Sequence, residues 1–157
     1  MDSQSERQRW MATLAKAAPD RLQQCVEELV NSGSGRLPAY RMLRSPETGL
    51  VMVRGRAGGT GQVFNLGEMT LTRCVVQIEA SPEESPITGF GYVSGRSHPH
   101  AELAAVCDAL MQMENWRDRV QLTVIAPLQA DAQQRQETQQ RQTAATRVNF
   151  LTLLRGE

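Results

Sequence analysis

Two clusters hold the residues best suited to chemistry. The first is Arg54-Gly55-Arg56-Ala57-Gly58-Gly59-Thr60-Gly61. Closely spaced glycines let several backbone N–H groups converge on one anion, and the guanidinium forks of Arg54 and Arg56 stand at the base of the loop. The same composition also suits a plain flexible hairpin connection. The second cluster is Gly95-Arg96-Ser97-His98-Pro99-His100-Ala101-Glu102. A helix starting here offers unpaired N–H donors and partial positive charge, to which Arg96 and the histidines can add charge-assisted contacts to a phosphate-type oxygen. The alternative is an ordinary helix start, with Ser97 or His98 as the cap, Pro99 in the first turn and Glu102 placed well against the dipole.

Other chemistry is excluded more firmly. A phosphate-binding P-loop needs Gly-Lys-Ser/Thr after its glycines, and Lys16, the single lysine beside sixteen arginines, lies far from every glycine cluster. A dinucleotide fingerprint fails because Gly61 leads into Gln62-Val63-Phe64, a strand pattern with no third glycine in place. With only His98 and His100 in the chain, two apart on a helix, no metal site is expected. No serine or cysteine sits in an activating context, so no catalytic residue is assigned. Cys25, Cys74 and Cys107 are odd in number and lack C-x-x-C spacing, which reads as reduced, buried thiols.

Seventeen basic and seventeen acidic residues cancel in a chain of 157, the size of one domain. Neutrality argues against non-specific nucleic-acid binding and against a polybasic membrane surface. No stretch approaches the roughly 20 apolar residues of a membrane span, and Met1 to Arg9 is polar rather than signal-like, so a complete cytoplasmic chain is expected. Seven aromatic residues and an apolar fraction of 40% are thin for a core, which suggests reliance on a partner.

The elements that must position these clusters are readable from period. Trp10, Met11, Leu14, Ala15 and Ala18, and after Pro19 the set Leu22, Cys25, Val26, Leu29 and Val30, predict two amphipathic helices. Strand patterns follow at 37–44 and 50–56, with Ser45-Pro46-Glu47-Thr48-Gly49 read as a turn between them. A long strand is expected within 63–80, with Thr70, Thr72, Cys74, Val76 and Ile78 on one face, and a fourth at 87–94. That fourth strand puts Gly89, Gly91 and Val93 on one face, where bare glycine signals close approach by another backbone or a ligand. A helix from His98 to about Gln112 buries Leu103, Val106, Cys107, Leu110 and Met113. Val120 to Leu128 is ambiguous between helix and strand, with Pro127 ending or bending it. Residues 129–147 are helix-compatible but nearly without an apolar face, and 148–154 form an apolar run. That run is either a last strand of the chain's own sheet or a tip that docks on a sheet edge or another chain. The fold expected is α+β: N-terminal helices, a mainly antiparallel sheet, a packed central helix and an extended C-terminal helical arm ending in a strand. It forms a single domain over 1–157, with 129–157 as a candidate partner-binding arm.

Several blocks resemble the PhnG family, the G subunit of the bacterial carbon-phosphorus lyase system. They are Glu47-Thr48-Gly49-Leu50-Val51, Arg54 through Phe64, Asn65-Leu66-Gly67-Glu68-Met69-Thr70-Leu71-Thr72-Arg73-Cys74, and Gly91-Tyr92-Val93-Ser94-Gly95-Arg96 with His100-Ala101-Glu102-Leu103-Ala104-Ala105. Asp108-Ala109-Leu110-Met111-Gln112, Ile125-Ala126-Pro127-Leu128 and Arg147-Val148-Asn149-Phe150 extend the similarity along nearly the whole chain. The resemblance implies a non-autonomous transferase subunit, in a complex with H, I and J subunits, I most directly. Such a complex displaces adenine from ATP by a phosphonate, so ATP is a substrate of the assembly and no cofactor is expected on this chain alone. The radical cleavage step belongs to the J subunit; the cysteines here lack iron–sulfur spacing. Within that frame Arg54, Arg56, Gly58, Gly59, Gly61, Arg73, Arg96, His100 and Glu102 are the candidates for contact with oxyanions or with a partner, and the glycine loop and the 98–102 helix start are expected to face a shared site or the I-subunit interface. The alternative is a purely structural adaptor that touches no substrate.

Overall fold

The computed structural model describes residues 3–33, 36–79 and 85–145. Helices α1 (Ser3–Lys16) and α2 (Pro19–Asn31) form where the apolar spacing places them. Trp10 and Leu14 of α1, Ala17 just past its end, and Leu22, Cys25, Val26 and Leu29 of α2 are buried, at the three- and four-residue steps that put side chains on one helix face. Ala18 is exposed and serves as the residue before α2.

Strands β1 (Tyr40–Arg56), β2 (Val63–Ile78) and β3 (Ile87–Ser94) make an antiparallel sheet in the order β1-β2-β3. The expected turn at 45–49 is absent: β1 runs straight through it. Arg44 pairs with Val75 and Glu47 with Arg73, so β1 carries one extra residue across Ser45-Pro46, a bulge rather than a reversal. Pro46 is tolerated because β1 lies at the sheet edge, where a missing N–H costs no ladder bond. On β2, Thr72, Cys74, Val76 and Ile78 are buried, as their alternation predicts.

Helix α3 (His98–Met111) lies across this buried face. Ser97 caps it, its Oγ accepting from His100 N at 3.4 Å. The approach to β3 is close: a Cβ on Gly89 would stand 2.0 Å from the Ala105 carbonyl oxygen, and one on Gly91 2.0 Å from that of Ala101. Only glycine opposite alanine permits this contact. The free edge of β3 is closed by side chains. Asp108 accepts from Phe90 N at 2.9 Å, and the Thr88 carbonyl accepts from Gln112 Nε2 at 3.0 Å and Arg7 Nη2 at 3.4 Å.

Past α3 the chain forms α4 (Glu114–Val120), a π turn (Gln121–Ile125) and α5 (Ala126–Ala145) as one continuous helical path. This resolves the ambiguous 120–128 segment as helix. Pro127 has no N–H and crowds the carbonyl four residues back; the wider π turn just before it, with Ala126 N bonded to Gln121 O, makes room. Leu128 is the one buried residue of α5 among those described, and the rest of this helix is polar and projects. The apolar 148–154 run lies outside the described residues. All three cysteines are free and buried, and burial pushes the Cys107 thiol up to about 12. The architecture is α+β, with its core between α1, α2, the π turn, α3 and the inner face of β2–β3.

Candidate functional site

β3 pairs only with Leu71–Ile78 of β2, so beyond Thr48 and Leu71 the strands β1 and β2 continue as a two-stranded ribbon. The glycine loop is the tip of that ribbon. A short 3₁₀ turn, Ala57–Gly59, closes it, with Gly58 at φ 60° and Gly59 at φ 80°, conformations that glycine adopts without strain. Gly61 N donates to the Ala57 carbonyl at 2.8 Å and Arg56 Nη1 reaches the Gly61 carbonyl at 3.4 Å. Arg54, Arg56, Gly58 and Gly59 are exposed together here.

The start of α3 sits at the ribbon's root instead. The eight residues from Thr48 to Arg56, at about 3.3 Å each, put the tip about 26 Å farther out along the strand. Within this chain, therefore, the arginine–glycine tip and the helix start do not share a site. Arg96 is exposed in the turn before α3, where Gly95 N is tied to the Thr70 carbonyl at 2.9 Å. His100 is turned inward: it is 4% exposed and its Nε2 lies 2.8 Å from the Leu14 carbonyl, so it ties α3 to α1 and is not available to an anion. That carbonyl is an acceptor only, so Nε2 carries the proton. Glu102 accepts from the Tyr40 hydroxyl at 2.7 Å. Burial, helped by that bond, pushes the Tyr40 phenol up to about 12.

A directional hydrogen-bond chain anchors the root. Thr72 Oγ1 donates to the Gly95 carbonyl at 2.7 Å, which uses its only proton. Thr48 Oγ1, 3.0 Å from Thr72 Oγ1, must then donate to it, and so accepts from His98 Nε2 at 3.1 Å. His98 thus presents Nδ1 outward at an exposed position.

Arg73 faces the opposite side of the sheet. There Arg44 Nη1 donates to Glu47 Oε1 at 2.6 Å and Arg73 Nε donates to the same oxygen. The hydrogen bond from Arg44, reinforced by that from Arg73, holds the Glu47 carboxyl below its usual range. Two guanidiniums on one carboxylate leave net positive charge beside a cavity of about 450 Å³, lined by Glu47, Gly49, Val51, Leu71, Arg73 and Tyr92. Gly49 opens it, since nothing stands within 4 Å of where its Cβ would be. A larger cavity, about 690 Å³, lies away from all these groups, between Ala18 and Arg21 and the polar flank of α5; the Arg21–Asp131 ion pair at 2.9 Å crosses it.

The nine sequence-derived candidates thus separate into a tip (Arg54, Arg56, Gly58, Gly59, Gly61), an outer sheet face (Arg73), a root turn (Arg96), the packed interior (His100) and a half-buried position on α3 (Glu102). Sequence reasoning passed over Glu47, Thr48 and Tyr92 as site residues, and Asp108 as a hub. Asp108 is fully buried and takes hydrogen bonds from Arg7 Nε and Nη2, Trp10 Nε1, Phe90 N and Gln112 Nε2. Its signal was a lone carboxylate inside the apolar stripe Val106-Cys107-x-Ala109-Leu110. Among the described residues no group of three or more His, Cys, Asp or Glu gathers as metal ligands do, and no helix is long and apolar enough to cross a membrane.

The family model for phosphonate metabolism protein PhnG matches residues 5–156. A curated relative from Rhizobium meliloti (strain 1021), the alpha-D-ribose 1-methylphosphonate 5-triphosphate synthase subunit PhnG, is 42% identical over 121 residues, covering 76% of this chain and 73% of the relative. A match running from the first turn of α1 through the ribbon and beyond α5 takes in every element described, and the chain belongs to the PhnG family.

Proposed function

We propose that this chain is a non-autonomous subunit of a ribose 1-methylphosphonate 5-triphosphate synthase in phosphonate catabolism. It works in the cytoplasm within a carbon-phosphorus lyase core complex beside H, I and J subunits, with I as its most direct partner. The assembly is a transferase: a phosphonate oxygen attacks the sugar C1 carbon of ATP, the bond from C1 to the base nitrogen breaks, and adenine leaves with a proton. Triphosphate and phosphonate together bring many negative oxygens into one place, so the assembly needs fixed donors. Arg54, Arg56, Gly58, Gly59 and Gly61 at the tip, Arg73 on the outer face and Arg96 at the root are what this chain offers. Among the described residues no nucleophile or acid–base set accompanies them, and the subunit is not expected to act alone.

The observation that carries this reading is the relative, a synthase subunit that shares 42% identity over nearly three quarters of its own length. The test is phosphonate-dependent adenine release by the assembled complex. Removing this chain is expected to abolish it, and Arg56→Ala and Arg96→Ala, made singly, to weaken assembly or to lower adenine release. Adenine release that continues without the chain, or an isolated chain that binds ATP as a stable monomer, would overturn the reading.

A second reading is favoured by a specific observation. Arg73, His100 and Glu102 are all engaged by groups of this chain, as a purely structural adaptor requires. Unchanged adenine release by both arginine variants in an intact complex would select it.

A further inference from the structure

The ribbon beyond Thr48 and Leu71 exposes apolar side chains on both faces, with Thr70 and Glu68 standing opposite Leu50 and Met52 on one of them. Leu50 and Met52 follow Thr48 on the α3 side, and Val51, paired with Met69, follows Glu47 on the other. Leu50 is 63% exposed, Met52 49%, and Val51 and Met69 37% each; Val63, Phe64 and Leu66 are exposed as well. Such an apolar surface is well beyond the isolated exposed side chains common on soluble domains. Among the described residues both edges are also open: β1 is the outer strand of the sheet, and β2 over Val63–Thr70 has no strand on the side that β3 occupies farther down. Two strands alone are marginal in water, and an open, apolar edge invites aggregation unless it is covered. A flat partner covers one face only. Two apolar faces are covered together only when the ribbon enters a cleft. At its end stand Arg54 and Arg56, with no carboxylate among the residues between them and none in the 57–64 turn.

We propose that the ribbon is a finger that inserts into a cleft of a partner subunit, with apolar walls against both faces and carboxylates at the bottom that receive Arg54 and Arg56. This rests on the reading of the chain as a synthase subunit. It adds the surface, the mode of docking and the chemistry of the receiving site.

The test uses the full chain co-produced with the other subunits of the synthase, with affinity measured by titration into the complex lacking it. Three double variants are compared: Leu50→Asp with Met52→Asp, Val51→Asp with Met69→Asp, and Arg54→Glu with Arg56→Glu. Each is expected to weaken association at least about tenfold, because each places a charge against an apolar wall or a like charge. Thermal melting of each isolated variant confirms that the body remains folded. If the wild-type chain joins the complex and one face pair leaves affinity unchanged, the ribbon lies on a surface and the cleft is wrong. If the arginine pair alone leaves affinity unchanged but stops adenine release, the tip meets substrate oxyanions and the carboxylate floor is wrong. If the wild-type chain fails to join at all, the underlying subunit reading falls first. Two other occupants give distinct results. A chain that dimerises alone, and becomes monomeric with the Leu50/Met52 pair, has a second copy on its ribbon. Loss of hydrogen-exchange protection of 63–70 on truncation after Ala145 assigns the ribbon to the chain's own 148–154 run. Either overturns the proposal.

Discussion

β1 and β2 are each one strand with two fates. In the body, β2 from Thr72 to Ile78 buries every second residue under α3, and β3 guards its flank. In the ribbon, the same strand from Val63 to Met69 buries nothing. The body satisfies itself: no buried side-chain polar atom among the described residues lacks a hydrogen-bond partner. The ribbon leaves backbone edges and apolar side chains to something else. Stability is therefore written in one part of the hairpin and, under the docking proposed above, association in the other, and a substitution ought to affect one or the other.

The largest expected break of that contrast is Asp108→Ala. It strands the buried Trp10 Nε1 and the Phe90 amide and unpairs Arg7, and it is expected to cost about 3–5 kcal/mol, read as a fall in the denaturant midpoint. Gly91→Ala is next. Its new methyl meets the α3 backbone at 2.0 Å, which lifts the helix off β3 for about 3 kcal/mol in the same measurement. Leu50→Asp, equally drastic as chemistry, is expected to stay within about 0.5 kcal/mol of wild type in the isolated chain, because 63% of that residue already faces solvent. A large loss there would show that the ribbon is part of the body's cooperative unit. The smallest effect is at high pH. The Tyr40 phenol holds its proton more tightly folded than unfolded, so its contribution is whole below the ordinary value of 10.0 and is lost as pH rises toward about 12. Tyr40→Phe is expected to lower the neutral region of the stability profile and make its alkaline limb shallower, so that the two profiles converge at high pH.

Periodicity made the body legible. The 72–78 alternation, the two N-terminal helix stripes and the reading of Gly89 and Gly91 as a close approach all describe packing that local pattern encodes. The misreading at 45–49 has a local cause: Pro46 and Gly49 form turn chemistry anywhere except on an edge strand with a bulge. The candidate site was less legible. That His100 points to Leu14 and Glu102 to Tyr40 depends on how α3 sits against α1 and β1, which no short window contains. Nor does an exposed leucine differ in sequence from a half-buried one; Leu50 and Leu71 stand opposite Thr70 and Gly49, and which face each takes and where β3 ends separate their surroundings.

The glycine–alanine contact under α3 has a mechanical consequence. Four helix residues advance about 6.0 Å and two strand residues about 6.6 Å, so Gly89 and Gly91 mesh with Ala101, Ala105 and Ala109 like teeth of nearly equal pitch. Sliding the helix one turn either way would set Ile87 or Val93 where only a hydrogen fits. The mesh therefore works as a ratchet with a single stop, which indexes His98 and Arg96 against the root of the ribbon before any partner arrives.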